Sequence, residues 1–258
     1  MTGDKRLAIV TGASRGIGRA TALRLAEDFG GLVLVARNEE GLASAADAIR
    51  AAGAQALPLA IDLSQPQAAE IIVARTLERF GRIDALVNVA GAVPQTDLFA
   101  MSDEEWADGL ALKFHGARRL ALNAWDALRQ AGGSIVFMSG SSALAPKAAL
   151  AAVGTINAAI SALAKAFAER GVTDGVQVNA VLPGPVMTDR RRSMLEKYAV
   201  SKGLSFDAAI GAFARETGIA RYGEPEDIAE LIAFIVSSRA RWMTGATLRM
   251  DGGEIKAV

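Results

Sequence analysis

Residues 7–18 read Leu7-Ala8-Ile9-Val10-Thr11-Gly12-Ala13-Ser14-Arg15-Gly16-Ile17-Gly18, and their order decides the fold. Four apolar residues predict a buried strand. The chain then turns through Gly12, Gly16 and Gly18 into an amphipathic run that places Ile17, Thr21, Leu25 and Phe29 on one face. A strand, a glycine turn and a helix N-terminus in that order form a site for a pyrophosphate. Side chains at the turn would keep the anion from the backbone N–H groups, and the positive end of the helix suits its charge. The pattern is weak alone and gains weight from the strand before it and the helix after it.

Outward from this stretch the same rhythm repeats. Strands are expected at 32–35, 56–61, 83–88, 134–138, 176–182 and 246–250, with helices at 39–52, 66–80, 103–129, 153–170 and 225–238. Pro66 suits the first turn of its helix. Strands alternating with helices at this spacing predict an α/β fold, a Rossmann-like doubly wound parallel sheet of about seven strands with helices on both faces. Ligands bind such a sheet beyond the carboxyl ends of its strands, where strand order reverses. One domain over 1–258 is expected, since no linker or charge block interrupts the chain. The segment 190–216 breaks the rhythm with basic residues and two short helical patterns, and reads as a lid.

Composition narrows the function. The 28 basic residues balance the 28 acidic ones, so no nucleic acid or anionic membrane is an expected partner. With no cysteine there is neither disulfide nor thiolate chemistry, and no metal site is expected. No apolar stretch approaches the ~20 residues that span a bilayer, and residues 1–6 are polar, so neither an anchor nor a leader is expected and the chain reads as cytoplasmic.

The spacing Thr11-Gly12-x-x-x-Gly16-Ile17-Gly18 resembles the short-chain dehydrogenase/reductase family. So do Asp62 after the third strand, Asn88-Val89-Ala90-Gly91 after the fourth, and the run from Asn179 through Pro183-Gly184-Pro185-Val186-Met187-Thr188 after the sixth. Arg221-Tyr222-Gly223-Glu224-Pro225-Glu226-Asp227 and Asp251-Gly252-Gly253 match as well. The resemblance implies a nicotinamide dinucleotide whose pyrophosphate side is held by Gly12, Ser14, Gly16 and Ile17. Asp62 and Leu63 would meet the adenine, and Asn88, Ala90 and Gly91 would flank the ribose. Residues 183–188, with Pro183, Gly184, Val186 and Thr188, would meet the nicotinamide amide. It also implies a small-molecule substrate and a homo-oligomer, tetramer or dimer, built through the long helices after strands four and five and the last strand.

Charge bears on the choice of cofactor. A carboxylate at the end of the second strand holds a ribose 2′-hydroxyl, whereas a 2′-phosphate repels acid and recruits arginine. Strand two ends in Arg37, and Arg15 lies in the glycine loop, so NADP(H) is favoured over NAD(H).

The family's proton donor is a Tyr with a Lys four residues later, a Ser about thirteen residues before the Tyr, and an Asn on the long preceding helix. In the ungapped register from Gly133-Ser134-Ile135-Val136 to Ala164-Lys165-Ala166, the Tyr position holds Val153 and the Lys position Asn157. The Ser position falls on Gly140, between Ser139 and Ser141, and the Asn position holds Lys113. The two tyrosines, Tyr198 and Tyr222, cannot be reached by sliding the register. Lys113, buried beside a nicotinamide, is the first candidate for a substitute acid. Ser139, Ser141 and Ser142 are candidates to orient a substrate. His115 lies about 200° around the helix from Lys113 and reads as structural.

Two functions stand open on the sequence. One is an oxidoreductase acting on a small carbonyl or hydroxyl compound through a non-standard proton donor. The other is a cofactor-binding sensor or scaffold of the same fold without turnover. The surroundings of Lys113, Gly140 and Val153 separate them: an open space with one buried ionisable group for an enzyme, apolar filling for a binder.

Overall fold

Along β1 (Leu7–Thr11) the side chains alternate between two cores, Leu7 and Ile9 facing one way and Ala8 and Val10 the other. Alternation with both faces buried is what a central strand of a two-sided sheet requires. A computed structural model describes residues 6–256, so most of the polar opening read at 1–6 lies outside the described residues.

The order is β1, α1 (Gly16–Leu25), β2 (Gly31–Ala36), α2 (Glu39–Ala51), β3 (Gln55–Ala60), α3 (Ala68–Phe80), β4 (Ala85–Asn88) and α4 (Asp103–Gly109). There follow α5 (Ala117–Ala131), β5 (Ser134–Met138), α6 (Ala151–Asp174), β6 (Gln177–Pro183), α7 (Asp189–Lys202), α8 (Phe206–Thr217), α9 (Pro225–Ile235) and β7 (Thr247–Met250). The seven strands are parallel in the order β3-β2-β1-β4-β5-β6-β7. Strand order reverses between β1 and β4. Helices α3, α5 and α6 cover the face of Ile9, Phe137 and Val178, and α1, α2 and α9 cover that of Val10, Leu34 and Val136. This is the doubly wound Rossmann-like sheet expected from the alternation.

Four details depart from the reading of the sequence. Pro66 stands in the turn before α3 rather than in its first turn. The helix expected over 103–129 is broken by a π-helical segment, Leu110–Gly116, between α4 and α5. Helix α6 is longer than 153–170 at both ends. With the turn before it, Ala148–Asp174 holds an 18-residue window of mean hydropathy 1.5, which makes it long and apolar enough to cross a membrane by length and composition. The expectation that no stretch approaches that length is thus corrected. Alanines and glycines spread through the helix raise its average without a continuous run of large side chains, and here Ile160, Ala164 and Ala168 of α6 pack on the sheet. The segment read as a lid forms α7 and α8, joined by the edge-to-face contact of Tyr198 and Phe213 with ring centroids 4.9 Å apart.

Candidate active site

At the reversal point the end of β1 is tied to the end of β4. Thr11 Oγ1 accepts hydrogen bonds from the backbone N–H groups of Val89 (3.0 Å) and Ala90 (2.9 Å). Gly12 follows at φ 69°, and a Cβ there would stand 3.1 Å from the Ala90 nitrogen. A Cβ on Gly18 would come within 2.2 Å of the Gly12 carbonyl oxygen, so only glycine lets α1 start this close to the loop. Arg15, at the N-cap of α1, makes no side-chain cap, which leaves the first N–H groups of the helix to a ligand.

Beyond these strand ends lies a cleft of about 710 Å³. Of the residues singled out for a dinucleotide, Gly12, Ser14, Arg15, Gly16, Ile17, Arg37, Asp62, Leu63, Ala90, Gly91 and Thr188 line it. Asn38, Glu40, Gly41 and Ser44 at the start of α2 line it too and were missed, for nothing in their types marks them as ligands. Asn88, Pro183, Gly184 and Val186 do not line the cleft. Asn88 is buried with neither amide atom hydrogen-bonded, and Val186 is buried in a bridge to Gly223. Gly184 backs onto Asp251, whose Cα would stand 2.6 Å from an added Cβ. Thr188 caps α7 by accepting from the Arg191 N–H.

Charge is uneven along the cleft. Burial pushes the Asp62 carboxyl up, but hydrogen bonds from the Ser64 N–H (3.0 Å) and hydroxyl (2.8 Å), with the Arg37 charge, hold it below its ordinary value. Arg15 and Arg37 both line the cleft and the hollow that continues it outward.

The π-helical turn carries Lys113 at its middle. Such turns insert one residue into a helix and re-aim the side chains after it, often at functional sites. Lys113 is half-buried, and it stands behind Gly91 rather than on the cleft wall: a Cβ on Gly91 would meet Lys113 Cδ at 3.0 Å. Its Nζ donates to the Ser139 carbonyl (3.2 Å) and to Asn157 Oδ1. Burial, with the nearby Arg190 charge, pushes the Lys113 ammonium down to about 8.

The four positions noted in the sequence are thus gathered. Lys113 touches Asn157, Asn157 fills the space beside Gly140, and Val153 lies one turn earlier on α6. Val153 packs in an apolar cluster with Val93, Ile156, Trp106 and Leu110. Two of the serine candidates donate to groups of the protein: Ser139 Oγ to the Asn157 carbonyl (2.7 Å) and Ser141 Oγ to Glu254 (2.6 Å). Ser142 Oγ accepts from Asn157 Nδ2 (2.8 Å).

The remaining aromatic groups stand apart. Neither Tyr198 nor Tyr222 lines the cleft, and the Tyr222 hydroxyl is buried without a hydrogen bond. His115 lies edge-on to Phe114; burial, then Arg119 and Arg118, push its imidazole down, so it is neutral at pH 7.

The parallel sheet with its reversal point, the glycine loop tied to β4 and the cleft above them define a class of dinucleotide-binding reductases, and the chain belongs to the short-chain dehydrogenase/reductase family. The family model described as enoyl-(acyl carrier protein) reductase matches residues 12–254. Short-chain reductase protein NovJ of Streptomyces niveus is 34% identical over 250 residues, covering 97% of this chain and 94% of its own. L-sorbose reductase of Gluconobacter frateurii, solved with NADPH and L-sorbose, superposes with a TM-score of 0.95 at 28% identity over 98% of each chain. A variant of the actinorhodin polyketide ketoreductase, solved with NADPH, gives 0.90 at 30% identity over 97% of each.

Proposed function

We propose that the protein is an NADPH-dependent reductase of a small carbonyl compound in which Lys113 supplies the proton. The observation that carries this reading is the half-buried ammonium that stands behind Gly91, a residue of the cleft wall, and is held there by the Ser139 carbonyl and Asn157 Oδ1. The residues fit the cofactor. Gly12 and Gly16 with the N–H groups at the start of α1 suit a pyrophosphate, and Arg15 with Arg37 suits a 2′-phosphate, as the NADPH-bound structures of the sorbose reductase and the ketoreductase also suggest. Bound there, the nicotinamide supplies a hydride.

The protein's own part is the proton. Lys113 has three N–H bonds, two of them held by the Ser139 carbonyl and Asn157 Oδ1. The third is free to donate to the oxygen of the substrate carbonyl as hydride reaches its carbon. The C=O π pair becomes the new O–H bond, Lys113 is left neutral, and solvent returns its proton. A lowered pKa makes it a better acid near neutral pH.

A second reading, a binder or subunit without turnover, is favoured by the apolar packing around Val153. Calorimetry with NADPH and NADH, followed in the same samples by single-turnover oxidation with aldehydes, ketones and quinones, separates the two. The enzyme reading expects tight NADPH binding and turnover that falls about 10²–10⁴-fold in Lys113→Ala. Tight binding without turnover selects the second reading, and no binding of either nucleotide removes both.

A further inference from the structure

Asn157 is 3% exposed, and both polar ends of its amide are engaged. Oδ1 accepts from Lys113 Nζ and Nδ2 donates to Ser142 Oγ, while its backbone carbonyl accepts from the hydroxyls of Ser139 (2.7 Å) and Ser161 (3.2 Å). Two glycines make room for this arrangement. A Cβ on Gly140 would stand 2.6 Å from Asn157 Nδ2, and one on Gly91 would stand 3.0 Å from the Lys113 stem. An amide offers an acceptor at one end and a donor at the other. Ser142 and Lys113 therefore fix which end faces the ammonium.

We propose that Lys113, Gly140 and Asn157 form one device in which Asn157 is the positioning residue: its amide occupies the space that a side chain at Gly140 would fill and from there holds the ammonium behind the cleft wall. The proposal rests on the reading of Lys113 as proton donor only for its effect on rate; the positioning itself is independent of turnover. The other charge that bears on Lys113 is Arg190 at the head of α7, while β5 and α6 present the Ser139 carbonyl and the Asn157 amide to it. No carboxylate is among these contacts, so the neutral amide orients the ammonium without fixing its proton. An acid in its place would hold that proton firmly.

The test has two readouts that need no activity. The first is the titration midpoint of Lys113, followed by NMR of its Cε resonance in the full-length protein. Asn157→Asp keeps the shape and adds a charge, and is expected to raise the midpoint by about one unit or more. The second is coupling: Gly140→Ala is expected to destabilise the wild type more than it does the Asn157→Ala background, where the amide no longer occupies the space. With a substrate in hand, the alkaline limb of the pH–rate profile in Asn157→Asp should move up with the midpoint, and kcat in Asn157→Ala should fall at least about tenfold with KM little changed. A midpoint unmoved by Asn157→Asp, or additive effects of Gly140→Ala and Asn157→Ala, overturns the proposal. A moved midpoint with non-additivity but no turnover upholds the positioning and removes the proton-donor reading.

Discussion

The glycine loop lines the cleft, the Lys113 pair stands behind the cleft wall at Gly91, and the two are built on different terms. In the loop, backbone atoms do the work: Gly12 sits at positive φ against Ala90, and Gly18 sits against the Gly12 carbonyl. In the Lys113 pair, side chains from three elements meet, and each depends on the others for its place. A site made of backbone tolerates no substitution at its few glycines but little else constrains it. One made of side chains can be rebuilt, provided that all its members change together.

The sharpest way to break this contrast is at Gly18. An alanine Cβ 2.2 Å from a backbone oxygen cannot be relieved by a rotamer change, so α1 must move away from the loop. Overpacking of this kind costs typically about 1–3 kcal/mol or more. Gly18→Ala is expected to weaken NADPH binding on the order of 100-fold in calorimetry, with a lower Tm. If binding survives unchanged, the loop is not the pyrophosphate cradle.

Two arginines of the cleft, Arg37 and Arg15, come next in size. Losing a hydrogen bond to a charged group costs about 1.5–3 kcal/mol, or roughly 10–100-fold in affinity. Arg37→Ala is expected to weaken NADPH binding by that factor and leave NADH binding within a few-fold, with Arg15→Ala similar but smaller. Equal losses for both nucleotides would mean that the arginines do not read the 2′-phosphate.

The contrast also explains what the sequence could reveal. The backbone-built half was legible because glycine spacing and strand periodicity are local: eleven of the fifteen residues named for the cofactor line the cleft. The other four do not line it, since residues after a strand end can as easily pack on neighbouring elements as face a ligand. On the side-chain half, register singles out Lys113, Gly140, Val153 and Asn157 but says nothing of their contacts. The π-helical turn that re-aims Lys113 leaves no mark in residue spacing, and the direction in which Ser139, Ser141 and Ser142 point depends on Glu254 and Asn157, both distant in sequence. The apolar average of α6 was missed because small residues hide it.

A third test concerns neither half directly. Leu122 on α5 is 52% exposed and lines a groove with Trp125, Leu163, Ala166 and Phe167, while Val172 on α6 is 71% exposed and lines a second hollow that shares Ala166 with the first. Exposed apolar surface of this extent marks a contact face, in keeping with the homo-oligomer that we propose to form through these helices. Leu122→Asp with Val172→Asp is expected to yield a smaller species in light scattering while the monomer keeps its helical circular dichroism. An unchanged mass would place any association elsewhere.

The smallest effect is the most direct measure of how the ammonium is held. Burial and Arg190 place the Lys113 pKa near 8 in the folded chain, below its ordinary 10.5. Between these values the unfolded chain binds the proton that the folded one has shed, so this group's contribution makes stability rise with pH from about 8 towards 10.5. Tyr222, whose pKa is raised by burial, acts in the opposite sense only above about pH 10, because there the unfolded chain loses its phenolic proton first. The comparison therefore belongs between about pH 7 and 9.5, as a difference between the wild type and Lys113→Met, which keeps the stem and drops the charge. A difference of about 1 kcal/mol shifts Tm by about 2–4 °C in a chain of this size. The wild type is expected to gain that much on Lys113→Met as pH rises across the window. Parallel melting curves would show that the ammonium is solvated as an ordinary surface lysine is, and that neither Asn157 nor the π-helical turn holds it out of water.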